Sequence, residues 1–178
     1  MILTIEQIKQ QLKDKFYKPD GELNDLVLLE HIAPPDNIEF LKQSLNIRTP
    51  KDFEHLISRY NFDNFSLGPI CFGTGNDYIE QLIGINKEDN FNRWWGDENR
   101  HTGFIIIATS DPYTILLNTI ENSVYAITSE SKPTEWQAVA DNFELFLRGV
   151  GSIFLKQGTP LEVEAFAHSQ DLEFWKAL

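Results

Sequence analysis

The sequence predicts an α+β fold in a single domain of 178 residues. Amphipathic helix patterns come first, short stretches rich in Ile, Phe, Tyr and Val follow, and helix patterns return at the end. Such a segregated order favours helices packed on a sheet over a repeating β-α-β arrangement. A chain of this length buries roughly 70% of its unfolded surface, so one hydrophobic core is sufficient without disulfides or metal.

The first helix is predicted to begin after Thr4, because Thr4 and Gln7 have the spacing of a capping box. It is expected to end before Pro19, where a Pro-Asp-Gly turn begins. A second, short helix is predicted over residues 23–31, although the letters VLL alone are equally typical of a strand. The apolar face of the first helix consists of Ile5, Ile8, Leu12 and Phe16.

Two further helices are predicted before residue 61. One begins at Asp36, which has Glu39 three residues later and buries Ile38, Leu41 and Leu45. The other has Thr49 as its N-cap and Pro50 at its first position, where a missing amide has no cost. Its apolar stripe, at helical spacing, consists of Phe53, Leu56, Ile57 and Tyr60.

The middle of the chain changes to strand patterns bounded by Gly, Asn, Asp or Pro. The links between the last three stretches are a few residues long, so these three are expected to be consecutive antiparallel strands. The run FIIIA is apolar at every position, which indicates a strand covered on both faces. The predicted strands are residues 69–73, about 77–83, 103–109, 113–118 and 123–128.

Three helix starts are predicted in the last third of the chain. Thr134 and Gln137 are expected to form a capping box for a helix that buries Trp136, Val139, Ala140, Phe143 and Leu147 and stops at Gly149 and Gly151. Thr159 and Glu162 repeat the device, and Ser169 is expected to cap a last short helix.

The chain is acidic, with 27 Asp and Glu against 15 Lys and Arg and a net charge of −12. The excess lies in the last two thirds, which argues against direct binding to a nucleic-acid backbone. It is compatible with a basic protein partner, or simply with solubility. The start MILTIEQIKQ is unlike a signal peptide, no apolar run is long enough for a membrane span, and Cys71 is the single cysteine, so a cytoplasmic location is expected.

No complete catalytic, metal or cofactor site is predicted. Glu98 and His101 have the spacing of one helical carboxylate-imidazole pair, but di-iron sites need several more carboxylates. The segment from Gly73 to Asp77 lacks both a dinucleotide fingerprint and a phosphate loop and is predicted to be a turn. Cys71 lies in a strand pattern without a basic setting and is expected to be inert. We therefore expect no enzyme activity, no cofactor and no metal.

Trp94 and Trp95 stand together in a polar stretch. Adjacent residues of a strand point to opposite faces, so one of the two is expected in the core and the other near the surface. An exposed Trp is a candidate binding anchor, because Trp is enriched among interface hot spots.

An ordered set of motifs extends over about residues 35–151. The helix motif RTPKDFEHLISRYN is followed by NFSLGPICFGTG, by RWW and by the strand motif GFIIIATSD; YTILLNTIENSVYAI and WQAVADNFELFLRGV complete the order. In this order the motifs resemble the SUKH superfamily, which includes fungal cell-wall synthesis regulators of the Smi/Knr type and many bacterial proteins. The N-terminal helical extension and the C-terminal helical tail lie outside the match.

This resemblance implies a mixed or mainly antiparallel central sheet packed by N-terminal and C-terminal helices. It also implies a non-catalytic, protein-binding role, as an immunity protein that neutralises a polymorphic or contact-dependent toxin, many of which are nucleases. One motif departs from the family: Ser110-Asp111-Pro112-Tyr113 replaces a common Asp-Gly-x-Gly-Asp. Because Pro112 stiffens this turn, a role that requires a flexible loop is not expected there.

A nuclease has a basic substrate channel, to which an acidic inhibitor can be steered. Candidate partner-binding residues are therefore the acids and aromatics on the predicted turns: Trp95, Asp97, Glu98, Asp111, Tyr113 and Glu121, with Glu88 and Asp89 as further acids. Two alternatives remain open at this stage. One is an intracellular regulator or scaffold with an endogenous partner, and the other is a small-ligand binder or enzyme with a deep pocket.

Overall fold

A computed structural model describes residues 1–75, 77–87 and 101–178, and these residues confirm the α+β fold class. Within these ranges the α-helices are α1 (Ile5–Phe16), α2 (Ile38–Leu45), α3 (Lys51–Arg59), α4 (Tyr78–Ile85), α5 (Phe143–Phe154), α6 (Pro160–Ala167) and α7 (Leu172–Ala177). The strands are β1 (Leu29–Glu30), β2 (Tyr60–Asn61), β3 (Ser66–Leu67), β4 (Ile70–Cys71), β5 (Phe104–Thr109), β6 (Thr114–Asn118), β7 (Val124–Ile127) and β8 (Ala138–Ala140).

Strands β3 to β8 form one six-stranded sheet in sequence order, and every neighbouring pair is antiparallel. The predicted meander is confirmed, since β5, β6 and β7 pair over most of their length through short turns. The two-residue strands β1 and β2 form a separate antiparallel pair. The long strands at the centre of the sheet therefore alternate in direction, and successive turns lie at opposite ends.

A β-bulge at Ile107 decides which face each residue of β5 presents. The pairing with β6 shifts between Ile106 and Ala108, so Ile107 is the extra residue. Ile105, Ile107 and Ala108 consequently lie in the main core, whereas Ile106 lies on the opposite face. That second face holds a smaller cluster of Ile106, Leu116 and Ile127, against which Ile85, Phe104, Tyr125 and Trp136 pack. The prediction that this strand is covered on both faces is confirmed.

Helix α4 occupies residues 78–85, where the prediction of a strand over about 77–83 is wrong. Asp77 is its N-cap and accepts a hydrogen bond from Glu80 N at 3.1 Å. Its buried residues, Tyr78, Ile79, Leu82 and Ile83, recur at helical spacing, a period that the aromatic and β-branched residues obscured.

Helix α4 also completes the exposed edge of β5. Strand β4 pairs with β5 at Cys71 and Thr109 only. Beyond that point the Asn86 side chain takes the place of a strand: Ile106 N donates to Asn86 Oδ1 at 2.7 Å, and Asn86 Nδ2 donates to Ile106 O at 2.8 Å. The Tyr78 hydroxyl donates to the carbonyl of the bulged Ile107 at 2.7 Å. The backbone of β5 is thereby satisfied where β4 ends.

The segment from residue 133 to 149 is not one helix, so that prediction is wrong. Residues Pro133–Glu135 form a single 3-10 turn, β8 follows, and α5 begins only at Phe143. Helix α5 is capped by Asn142, whose side chain accepts from Leu145 N, and by Asp52, which accepts from Phe143 N. Strand pairing of residues 138–140 with β7 thus prevails over the local capping signal.

Gly149 and Gly151 do not end α5 but lie inside it, where other helices approach closely. A Cβ on Gly149 would lie 2.7 Å from Trp175 and from Val163, and one on Gly151 would lie 2.5 Å from Ile8. These glycines allow α1, α6 and α7 to pack directly against the backbone of α5. The helix cost of glycine, about 1 kcal/mol relative to alanine, is offset by that packing.

Four other predicted boundaries shift. Residues 23–31 contain a 3-10 turn (Asn24–Leu26) and then β1, so the strand alternative is the correct one for Leu29–Glu30. Helix α2 is preceded by Asn37 and not by Asp36, and Asn37 makes no side-chain cap. Helix α3 is preceded by Pro50, because the hydroxyl of Thr49 donates to Glu54 and does not cap the helix. The last helix is capped by Asp171, not by Ser169. The capping boxes at Thr4 and Thr159 are confirmed.

Both terminal segments belong to the main core. Leu3 N donates to the buried Ser152 Oγ at 2.9 Å, which fixes the start of α1 on α5. At the other end of the chain, the loop between α6 and α7 lies along the outer edge of β8. Asp141 N donates to Ala167 O at 3.0 Å, and Gln170 N donates to Ala138 O at 2.8 Å. One hydrophobic cluster includes Leu3 and Trp175 together with the sheet.

Candidate partner-binding surface

The candidate binding residues that the structure describes lie at two separate ends of the sheet. Trp95, Asp97 and Glu98, with Glu88, Asp89 and Trp94, lie outside the described residues. Asp111 and Tyr113 belong to the β5–β6 turn, whereas Glu121 belongs to the β6–β7 turn. Because β6 has five residues at about 3.3 Å each, the two turns are separated by roughly 17 Å, at opposite ends of the sheet.

At the first end the β5–β6 turn is closed by a hydrogen bond from Ser110 N to Tyr113 O at 2.7 Å. The bond between Asp111 and Pro112 is cis, and Asp111 is exposed. Tyr113 is half-buried because its ring packs edge-on against Phe174, with centroids 5.2 Å apart. Part of its surface is therefore used inside the fold.

The structure adds Glu130 to this end of the sheet. Thr114 pairs with Ile127, so the residues that follow β7 lie next to the β5–β6 turn. Glu130 is exposed there, in a turn in which Thr128 N donates to Ser131 Oγ at 2.9 Å. Sequence reasoning missed Glu130, although an antiparallel meander necessarily places the end of β7 beside the start of β6.

The β6–β7 turn at the second end is held by Asn118. Its Oδ1 accepts from Ile120 N at 3.0 Å and from Glu121 N at 3.2 Å, and its Nδ2 donates to the Glu121 carboxylate at 3.3 Å. Thr119 N donates to Gly103 O at 2.7 Å, which joins the turn to the start of β5. Glu121 is thus presented on a fixed turn, while Ile120 is 71% exposed beside it.

A cleft of about 340 Å³ opens at the same end, between this turn and the segment that follows α2. The segment after α2 contributes an exposed guanidinium, Arg48, and the turn contributes the side of Ile120. The sequence contained no signal for this cleft, because its walls come from distant parts of the chain. The lining residues are Asn46, Ile47, Arg48, Thr102, Gly103, Thr119 and Ile120.

Four exposed acids on the connections of the sheet have no ion pair among the residues that the structure describes. We call them the strand-turn carboxylates: Asp111, Glu121, Glu130 and Glu135. Lys132, on the connection between β7 and β8, is the nearby base of that stretch. An exposed carboxylate without an ion pair presents its charge to a second molecule. Asp111 and Glu130 do so at one end of the sheet, and Glu121 does so at the other.

Glu6 and Glu30, two acids near α1, behave differently, because they are neutralised within the fold. Lys9 Nζ lies 2.7 Å from both Glu6 and Glu30, and Arg59 lies 2.6 Å from Glu6. Hydrogen bonding to Lys9 lowers the pKa of Glu6 and of Glu30, and the same contacts raise the pKa of Lys9. Burial raises the pKa of the Tyr60 hydroxyl, which donates to Glu6. This balanced network stabilises the fold and offers little net charge to a partner.

The network predicts a sign for the pH dependence of stability. Since the folded pKa values of Glu6 and Glu30 lie below their ordinary 4.5, their contribution is present above about pH 4.5 and is lost as the pH falls further. We expect Lys9→Met to lower the urea midpoint at pH 7 and to have a much smaller effect at pH 3. Urea unfolding of both proteins at the two pH values measures this; an equal effect at both would contradict it. Lys13→Met, on the same helix, is the control.

The other residues that the sequence analysis considered for chemistry are Glu98, His101 and Cys71. The described residues contain no group of three or more His, Cys, Asp or Glu side chains placed to hold a metal ion. Of the pair Glu98 and His101, only His101 is described, and its ring lies edge-on to Trp136 at 5.3 Å. Cys71 is half-buried in β4, with its thiol 3.7 Å from Gly73 O.

Comparisons with known proteins leave the family of this chain open. No protein-family model matches the chain, and no curated protein matches it. Among the described residues, no helix has the length and apolar character that a bilayer crossing requires.

Proposed function

We propose that this chain is a non-catalytic protein-binding domain, an immunity protein of the cytoplasm that binds and neutralises a basic toxin domain. The observation that carries the proposal is the set of strand-turn carboxylates, which are exposed on sheet connections and without ion pairs in the described part of the chain. Glu6 and Glu30, near α1, are neutralised by Lys9 and Arg59. The strand-turn carboxylates, in contrast, remain available to a partner.

Electrostatic complementarity allows this surface to bind a basic protein without catalysing a reaction. A basic substrate channel of a nuclease is attracted to a negative surface, which speeds association and can block the path of the phosphate backbone. The resemblance of the ordered motifs to the SUKH superfamily supports the same role. The end of the sheet with Asp111, Tyr113 and Glu130 is the preferred contact, because two acids and a partly accessible aromatic ring lie together there.

The proposal is tested by co-expression with the toxin-like product of the gene immediately upstream, followed by a pull-down. We expect rescue of growth and a stable complex whose association rate falls steeply with salt. Rescue without a complex, or a complex indifferent to salt, would contradict the electrostatic part. Absence of both would favour the regulator or scaffold with an endogenous partner.

Charge-reversal variants locate the contact within that complex. The double variant Asp111→Lys/Glu130→Lys is expected to slow association about tenfold at low salt, because rim charges act mainly on the association rate. Glu121→Lys, at the other end of the sheet, separates the two ends. Glu22→Lys is the matched control, since Glu22 is exposed but already paired with Lys18. Equal effects of all three variants would show a general charge effect and no defined contact.

A further inference from the structure

The cleft between the segment after α2 and the β6–β7 turn has the size of a small-ligand site, and its charge is opposite to that of the chain. Pockets for small molecules begin at about 300 Å³, and this one measures about 340 Å³. Its described lining contains one cation, Arg48, and no carboxylate. In a chain with 27 acids and 15 bases, that local balance selects an anion.

Arg48 is available for a ligand, because the nearby charges are used elsewhere. Lys42 is bonded to Glu39 at 2.7 Å and to Glu54 at 2.9 Å, whereas Arg48 is exposed and has no ion pair with a described residue. Two carbonyls near the end of α2 are satisfied: Ile47 N donates to Lys42 O at 3.0 Å, and Asn46 N donates to Gln43 O at 3.3 Å. A carboxylate beside Arg48 can therefore accept two hydrogen bonds from the guanidinium group. The Lys42 carbonyl does not compete for these donors, because it already accepts from Ile47 N.

The rest of the cleft is suited to a short apolar chain. Ile120 is 71% exposed on one wall, and Ile47 is half-buried on the other. Gly103 lies against Ile120, since a Cβ on the glycine would be 2.6 Å from Ile120 Cδ1. The position of the turn is fixed by Asn118 and by the bond from Thr119 N to Gly103 O, so this wall of the cleft is in place before any ligand arrives. Polar hydrogen-bond groups are supplied by Thr102 and Asn46, which are both exposed.

We propose that this cleft binds a carboxylate attached to a short apolar chain, with Arg48 on the carboxylate and Ile120 and Ile47 on the chain. Two sources share this chemistry: the C-terminus of a peptide that ends in an aliphatic residue, and a medium-chain fatty acid. The inference goes beyond the proposed function, because its ligand is anionic whereas the proposed toxin is basic.

Amide chemical shifts measured by NMR test the site directly. The probes are acetyl-Gly-Val-Leu with a free C-terminus, the same peptide with an amidated C-terminus, and octanoate. We expect a free acid to shift the amides of Gly103, Thr119 and Ile120 in a saturable manner, and the amidated peptide to shift them at least about tenfold less at equal concentration, since the charge-assisted hydrogen bonds are lost. If only the free peptide shifts these amides, the ligand is a peptide C-terminus; if only octanoate shifts them, the ligand is a fatty acid.

Variants decide whether the cleft residues are responsible. Arg48→Gln is expected to weaken binding of the free acid about tenfold, and Lys51→Gln, an exposed cation outside the lining, is expected to leave it unchanged. Ile120→Ser weakens binding of both acids without affecting the fold, because the side chain is exposed. Equal binding of acid and amide, no effect of Arg48→Gln, or no saturable shift with either acid would overturn the proposal.

Discussion

Replacement of Asn86 by alanine is expected to lower the free energy of unfolding by about 2–4 kcal/mol, because several buried backbone groups lose their partner together. Asn86 is 1% exposed and bonds to both Ile106 N and Ile106 O, and its Nδ2 also donates to Leu82 O at 2.9 Å. Strand β4 has already ended at this point, so nothing in the described sheet replaces the lost bonds. Urea unfolding followed by circular dichroism measures the change.

Two further variants make this expectation specific. Asn86→Asp retains an acceptor for Ile106 N but places a second oxygen against the carbonyls of Ile106 and Leu82, so its cost is expected to exceed that of alanine at pH 7 and to decrease in acid. Asn64→Ala, at an exposed position, is the control and is expected to change stability by less than about 0.5 kcal/mol. A cost of Asn86→Ala equal to that of the control would show that the side chain does not complete β5.

Replacement of Gly73 by alanine is expected to be at least as severe, with a loss of about 3 kcal/mol or more. A Cβ at this position would lie 2.0 Å from Phe62 O and 2.3 Å from Asp63 O, and neither is the end of a flexible side chain. Asp63 in turn accepts from Tyr78 N at 2.8 Å, so a displaced backbone also disturbs the start of α4. The thermal midpoint and the soluble yield measure the effect.

Gly84 provides the matched glycine. It lies inside α4, and a Cβ there would meet no atom of the residues that the structure describes within 4 Å. Gly84→Ala is therefore expected to stabilise the protein by about 0.5–1 kcal/mol through helix propensity alone. If both glycine variants change stability in the same direction and by the same amount, the close approach of Gly73 to the backbone of residues 62–63 is not what constrains this position.

The fold class and the central meander could be predicted, because local chemistry determines them. Thr4 with Gln7 and Thr159 with Glu162 are complete capping boxes, and the strands β5 to β7 have short connections. The errors arise where distant parts of the chain decide. Residues 138–140 follow a helix-capping signal in the sequence but pair with β7 as a strand. Gly149 and Gly151 resemble a helix end in the sequence, whereas in the fold they allow α1 and α7 to pack against α5.

The candidate site was predictable only in part, for a reason of topology. Asp111 and Glu121 were both expected on turns, and both are exposed there. The strand order places consecutive turns of a meander at opposite ends of the sheet. It also places Glu130 at the same end as Asp111. The roles of Asn86 and Asn118 could not be predicted, because an asparagine that bonds to backbone across the fold resembles any other asparagine in a sequence.

The loop along the outer edge of β8 limits how another chain can associate with this protein. An unpaired strand edge invites strand addition, either by a partner peptide or by a second copy during aggregation. Here Gln170 N and Ala167 O already form hydrogen bonds with the edge at Ala138 and Asp141. A partner at this edge consequently finds no free backbone ladder. Association at this edge would therefore depend on side chains, which can be exchanged without altering the pairing of the sheet.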